Sequence, residues 1–154
     1  LIPFSASSIH IMALNGKWEV HSSSDSMEAW LKGCGWSTLT AKAASAAKPS
    51  LTVSQTNDQI SIELSSTFKS GKIGGKLYPS EAAKQFETAE HELMGHGQQA
   101  WYKDGDAVVH LFKGEKKQSK DRYFVKDGLL VVEKEMLDLN GTPVVHIKRV
   151  YSRH

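Results

Sequence analysis

The sequence is short of several things, and each shortage excludes something. It has one cysteine, four prolines, no large excess of charge of either sign, and no apolar run near the ~20 residues that span a bilayer. Cys34 alone closes no internal disulfide, which leans toward a reducing compartment, and the cytoplasm is the expected location. Nineteen Lys and Arg against 17 Asp and Glu leave a formal charge of +2. Binding to a phosphate backbone needs a clustered basic excess, so nucleic acid is not an expected partner. A length of 154 residues suits one domain. Such a chain buries roughly 70% of its unfolded surface, enough for a packed core or for a smaller core around a cavity.

Residues Leu1 to Ile11 carry no charge apart from His10, and resemble neither a basic signal-peptide start nor an Arg-rich transit peptide. The expectation is an N-terminal extension over residues 1–11, disordered or foreign to the fold, ahead of one domain over residues 12–154.

From Gly16 onward the hydrophobic pattern is mostly of period two, in short runs separated by turn residues. Ten strands are expected: Lys17–Ser22, Pro49–Thr56, Gln59–Ser66, Gly71–Leu77, Gln85–His91, Gln98–Lys103, Asp106–Lys113, Lys120–Lys126, Leu129–Asp138 and Pro143–Arg153. Asn57-Asp58, Asp104-Gly105, Asp127-Gly128 and Asn140-Gly141 are turn pairs that tolerate positive φ. Strands joined by hairpins form an antiparallel meander. An open one of this size would leave two bare edges, and closure into a barrel removes them.

Asp25 to Ala47 breaks the pattern. Met27, Trp30, Leu31 and Cys34 fall at i, i+3, i+4 and i+7, one apolar helical stripe, with Asp25 and Glu28 suited to its first turn. Gly33 and Gly35 end it, Ser37 or Thr38 can cap a second short helix, and Pro49 stops that one. A helical pair inserted after the first strand of a closed meander would sit across one open end as a lid.

That order, with Gly16-Lys17-Trp18, Ala47-Lys48-Pro49, Ser66-Thr67-Phe68-Lys69, Val109-His110-Leu111 and Arg149-Val150-Tyr151, resembles the intracellular lipid-binding proteins, which include the fatty acid-binding and cellular retinoid-binding proteins. The resemblance covers about residues 14 to 153. It implies an all-β, ten-stranded, calycin-like and lipocalin-related barrel with a helix-turn-helix lid, enclosing a cavity for a hydrophobic ligand. Two stretches are longer than the family's usual pattern: Tyr78–Gln85, and the last hairpin around Asp138 to Thr142. They leave the strand register open over Glu81 to Gln99.

On the last strand Val145, Ile147, Arg149 and Tyr151 alternate onto one face, so if the first two point inward a guanidinium and a phenol point inward with them. Burying an unpaired Arg costs several kcal/mol, so an anionic partner is expected. Arg122 shares a face with Phe124 and poses the same question. Two Arg and a Tyr hydroxyl suit a carboxylate, because guanidinium offers forked donors. The resemblance implies that role for Arg122, Arg149 and Tyr151. The alternative is that either Arg is solvated outside or pairs with Glu133 or Glu135.

The resemblance also implies a portal role for Phe68 and a cavity position for Met27, whose alternative is plain packing of helix on barrel. Trp30 and Phe124 complete the expected cavity and portal set. Lys32, Lys42, Lys48, Lys69 and Lys72 would give the lid a basic face, either merely solvated or able to meet an anionic membrane transiently.

Two motifs fail on spacing. His91-Glu92-Leu93-Met94-Gly95-His96 resembles a zinc protease signature, but its histidines are five apart, about 140° around a helix, so one face cannot hold the metal. Gly71-Lys72-Ile73-Gly74-Gly75-Lys76 lacks the glycine spacing of a phosphate loop, and its glycines suit a strand bend instead.

The expected function is intracellular carriage of long-chain fatty acids by a monomer, without cofactor, metal or catalysis. Retinoic acid or another hydrophobic acid is the nearest alternative. A small metal enzyme using His91, Glu92 and His96, and a barrel that serves only as an interaction module, are the distant ones.

Overall fold

The computed structural model describes residues 13–67 and 70–154. Strand β1 (Gly16–Val20) leads into helices α1 (Glu28–Gly33) and α2 (Thr38–Ser45). Nine strands follow: β2 (Ser50–Gln55), β3 (Gln59–Ser65), β4 (Gly71–Tyr78), β5 (Glu87–His91), β6 (Gly95–Asp104), β7 (Ala107–Gly114), β8 (Gln118–Lys126), β9 (Leu129–Leu137) and β10 (Pro143–Arg153).

Neighbours in sequence pair antiparallel from β1 to β4 and from β5 to β10, and β1 returns to β10 with Trp18 opposite Arg153. Closure departs from a simple meander at one place. Strand β4 does not pair with β5; its end meets β6 in parallel, Leu77 opposite Trp101 and Tyr78 opposite Tyr102. The rest of that seam is spanned by side chains. Gln99 Nε2 donates to the Gly74 carbonyl at 2.8 Å and reaches Glu87 Oε1 at 3.3 Å. Gly75 lets the two sides approach, since a Cβ there would lie 2.4 Å from Glu87 Oε1, whereas one at Gly74 would lie 2.5 Å from the Ile60 carbonyl oxygen of the paired strand β3.

The turn pairs behave as their residues dictate. Asp127 and Gly128 have φ of 54° and 76°, and Gly105 and Gly141 are also left-handed. In the long last hairpin Asp138 Oδ1 accepts from Asn140 N and Thr142 N, both at 2.9 Å, so the extra residues close on themselves. The stretch after β4 makes a turn in which Ser80 Oγ accepts from Ala83 N, and Tyr102 donates to Glu81 Oε2 at 3.0 Å. This settles the register over Glu81 to Gln99: β5 is short, and β6 begins at Gly95, earlier than the sequence pattern suggests.

Helix α2 starts at Ser37, whose Oγ accepts from Thr40 N at 3.2 Å. Helix α1 has no side-chain cap at Met27. Asp25 does other work, its Oδ2 accepting from Lys148 N at 2.8 Å, which ties the lid's approach to β10. Beneath α1, Trp30 packs with Met136 and Ile147. Fully burying side chains such as Met136 and Ile147 contributes about 1.5–3 kcal/mol each. A larger buried cluster inside the barrel includes Trp18, Trp101, Val108 and Leu130.

Candidate ligand-binding site

Between that cluster and the helices lies a space in two lobes of about 110 and 130 Å³. Both lobes are lined by Met27, Leu64, Glu92, Leu93 and Tyr151. Their walls are mainly apolar, with polar groups on β8, β9 and β10 and also at Ser66, Lys72, His91 and Glu92.

Arg149 and Tyr151 face inward from β10, each only 5% exposed, and both line the first lobe. Period-two alternation delivers this: Ile147, Arg149 and Tyr151 are buried while His146 and Lys148 are exposed. The guanidinium lies 5.9 Å from the centre of the Tyr151 ring. Arg149 donates through Nη1 to the backbone carbonyl of Asp25, and its Nε is buried without a partner. Among the described residues no carboxylate forms an ion pair with it.

Arg122 is placed otherwise. It lies on the outer face of β8 with its side chain 43% exposed, and Nη1 meets Asp104 Oδ2 at 2.5 Å. Phe124 shares that outer face, and the Arg122 guanidinium sits 5.8 Å from its ring centre. The inward residues of β8 are Ser119, Asp121 and Tyr123. The expectation that Arg122 and Phe124 point into the cavity is therefore corrected. The aromatic that marks the inner face is Tyr123, one position earlier, and the charge inside is Asp121, tolerated because Lys134 Nζ lies 2.7 Å from its Oδ2. Burial, aided by Asp121 and Tyr151, pushes the Tyr123 hydroxyl well above its usual pKa, so it stays protonated as a donor.

Met27 lies on the cavity wall with Leu31 of α1, and also packs against the Trp30 cluster. Trp30 does not line either lobe; it is 1% exposed in the packing beneath α1, with Lys134 Nζ 4.6 Å from its ring centre. Phe68 and Lys69 lie outside the described residues. Lys32, Lys42, Lys48 and Lys72 are all exposed, and Leu39 on α2 stands 81% exposed among the lid lysines.

The zinc-like segment forms no helix. His91 ends β5 and His96 lies on β6. His91 Nδ1 accepts from the backbone N–H groups of Leu93 and Met94 and so shapes the tight turn. His96 is outside, 2.5 Å from Glu90 Oε1. The turn's chief contribution is Leu93, which enters the barrel mouth, lining both lobes and packing against the Trp30 cluster.

No protein-family model and no curated protein matches the sequence. Solved structures do match. The REP1-NXSQ fatty acid transporter superposes with a TM-score of 0.76 at 26% identity, over 93% of this chain and 97% of that one. A Schistosoma mansoni fatty acid binding protein in complex with arachidonic acid gives 0.74 at 18% identity, over 94% and 98%. Human cRBP IV gives 0.73 at 21%, over 92% and 98%. The chain has the fold of the intracellular lipid-binding proteins: a closed β-barrel with two short helices after its first strand. These neighbours are binding and transport proteins rather than enzymes. Among the described residues no helix is long and apolar enough to cross a membrane.

Proposed function

We propose that this protein binds a long-chain fatty acid or a similar hydrophobic carboxylate in the barrel cavity and carries it through the cytoplasm as a monomer. The acyl chain lies against the apolar walls, where each CH₂ removed from water contributes about 0.8 kcal/mol. Arg149 and Tyr151 hold the carboxylate. One observation supports this reading above the rest: Arg149 is buried at the edge of the cavity without a protein carboxylate among the described residues, and a buried cation needs an anion. Arg122, paired with Asp104 outside, has no part in the clamp. The exposed lid lysines and Leu39 favour transient contact with anionic membranes during ligand exchange.

Displacement of a fluorescent fatty acid by oleate, retinoic acid and retinol tests the reading. Oleate should displace, and Arg149→Gln should weaken oleate about ten- to hundredfold while leaving retinol unaffected. Displacement by none of the three overturns it. Retinoic acid stands as the second reading, since the same clamp would take its carboxylate, and the relative affinities decide.

A further inference from the structure

A second cation lies inside the barrel, beside the first. Lys134 and Asp121 are on the inner faces of β9 and β8, with side chains only 14% and 3% exposed, and they pair at 2.7 Å. Register places them close to Arg149. Arg149 is opposite Val132, and Lys134 is opposite Ile147. Lys134 is therefore the diagonal neighbour of Arg149 on one wall, about 7–8 Å away at the backbone. Asp121, Tyr123 and Lys134 line the same lobe as Tyr151.

The pair is incompletely satisfied. An ammonium has three donors; one goes to Asp121 Oδ2, and one side rests against the Trp30 ring at 4.6 Å. That leaves a donor for the cavity. Asp121 Oδ1 is buried without a partner. Buried pairs are often no more stabilising than apolar residues of the same volume, so this pair is not explained by stability alone. Its charge points to a use: Arg149, Lys134 and Asp121 together leave one positive charge on the β8–β10 wall, which one carboxylate neutralises. Glu92, a further carboxylate, lines both lobes and lies against Gly71 of β4.

We propose that Lys134 is the second cation of the ligand site, held on the cavity wall by Asp121, and that Asp121 competes with the ligand carboxylate for it. This rests on the reading of the chain as a carrier of hydrophobic acids. It makes the pair a determinant of headgroup specificity, favouring acids over alcohols of equal chain length.

The two partners should then shift affinity in opposite directions. Titrated with oleate and with oleyl alcohol against a fluorescent fatty acid, Lys134→Met should weaken oleate about tenfold and leave the alcohol unchanged. Asp121→Asn, which removes the competitor and keeps the shape, should tighten oleate several-fold, and Lys134→Arg should retain most of the affinity. If Lys134→Met does not fold, the double exchange Asp121→Asn with Lys134→Met leaves no charge unpaired, and should show the same loss for oleate alone. Unchanged oleate binding in Lys134→Met or in the double exchange, or weakening by Asp121→Asn as large as by Lys134→Met, overturns the proposal and leaves the carrier reading standing. A native protein that binds neither lipid overturns both.

Discussion

The His110 imidazole lies nearly flat against the Trp101 indole, ring centroids 4.0 Å apart and planes 26° from parallel. Its Nε2 donates to Gln99 Oε1 at 2.9 Å, and Gln99 carries the link across the seam to Gly74. Burial, assisted by His91 and Lys134, holds the His110 pKa well below its ordinary 6.5. The folded protein thus refuses a proton that the unfolded chain accepts below about pH 6.5, so this contribution is complete above that pH and declines as pH falls. Urea unfolding from pH 7.5 down to 5 should show stability falling by up to about 1.4 kcal/mol per pH unit from this group. His110→Gln should flatten the dependence, and an unchanged slope would place the proton elsewhere.

Arg122 provides a control on the outer wall. Its ion pair with Asp104 is 43% and 53% exposed, and exposed pairs contribute about 0–1 kcal/mol. Arg122→Gln should leave oleate affinity within twofold of the native value and lower stability by under about 1 kcal/mol. A loss comparable to that of Arg149→Gln would return Arg122 to the binding site.

Gly74 is a steric requirement of β4. An added Cβ would lie 2.5 Å from the Ile60 carbonyl oxygen and 3.1 Å from Ser61 Cα, both backbone atoms that cannot rotate away. Gly74→Ala should cost about 1–3 kcal/mol. Thermal melting would register this as a drop of about 2–4 °C per kcal/mol.

The lid should act at membranes through charge. Lys32→Glu with Lys42→Glu should slow fatty acid transfer to vesicles containing anionic lipid, at about 1 kcal/mol per basic residue near the surface. Transfer to neutral vesicles should stay unchanged, and raised salt should shrink the difference. Equal slowing with both vesicle types would count against docking by charge.

The barrel, its lid and the Arg149–Tyr151 face were legible because each rests on a periodic signal: Ile147, Arg149 and Tyr151 alternate among residues that declare their side. Strand β8 shows where such reading fails. Tyr123 and Phe124 are adjacent aromatics, so hydrophobicity does not say which is inside, and Asp121 next to Arg122 makes both faces look polar. The deciding fact is Lys134, a strand away, whose ammonium makes Asp121 tolerable within. Pairing across strands leaves no trace in the local pattern of either. Leu93 was equally hidden, since the register of β5 and β6 depends on a turn in which the His91 ring accepts from Leu93 N and Met94 N before the left-handed Gly95.

Closure of the barrel has a consequence for what fits inside it. Strand β4 touches β6 by backbone only at Leu77 and Tyr78, while further along the seam is bridged by the amide of Gln99. Elsewhere, widening the barrel would mean breaking a backbone ladder. Here, beyond the short pairing at Leu77 and Tyr78, the two margins are joined by side-chain bonds, each worth about 0.5–1.5 kcal/mol. The girth of the barrel is least fixed by backbone along this one line. The lobes of about 110 and 130 Å³ thus sit inside a wall whose weakest backbone ladder runs along the margin between β4 and β5.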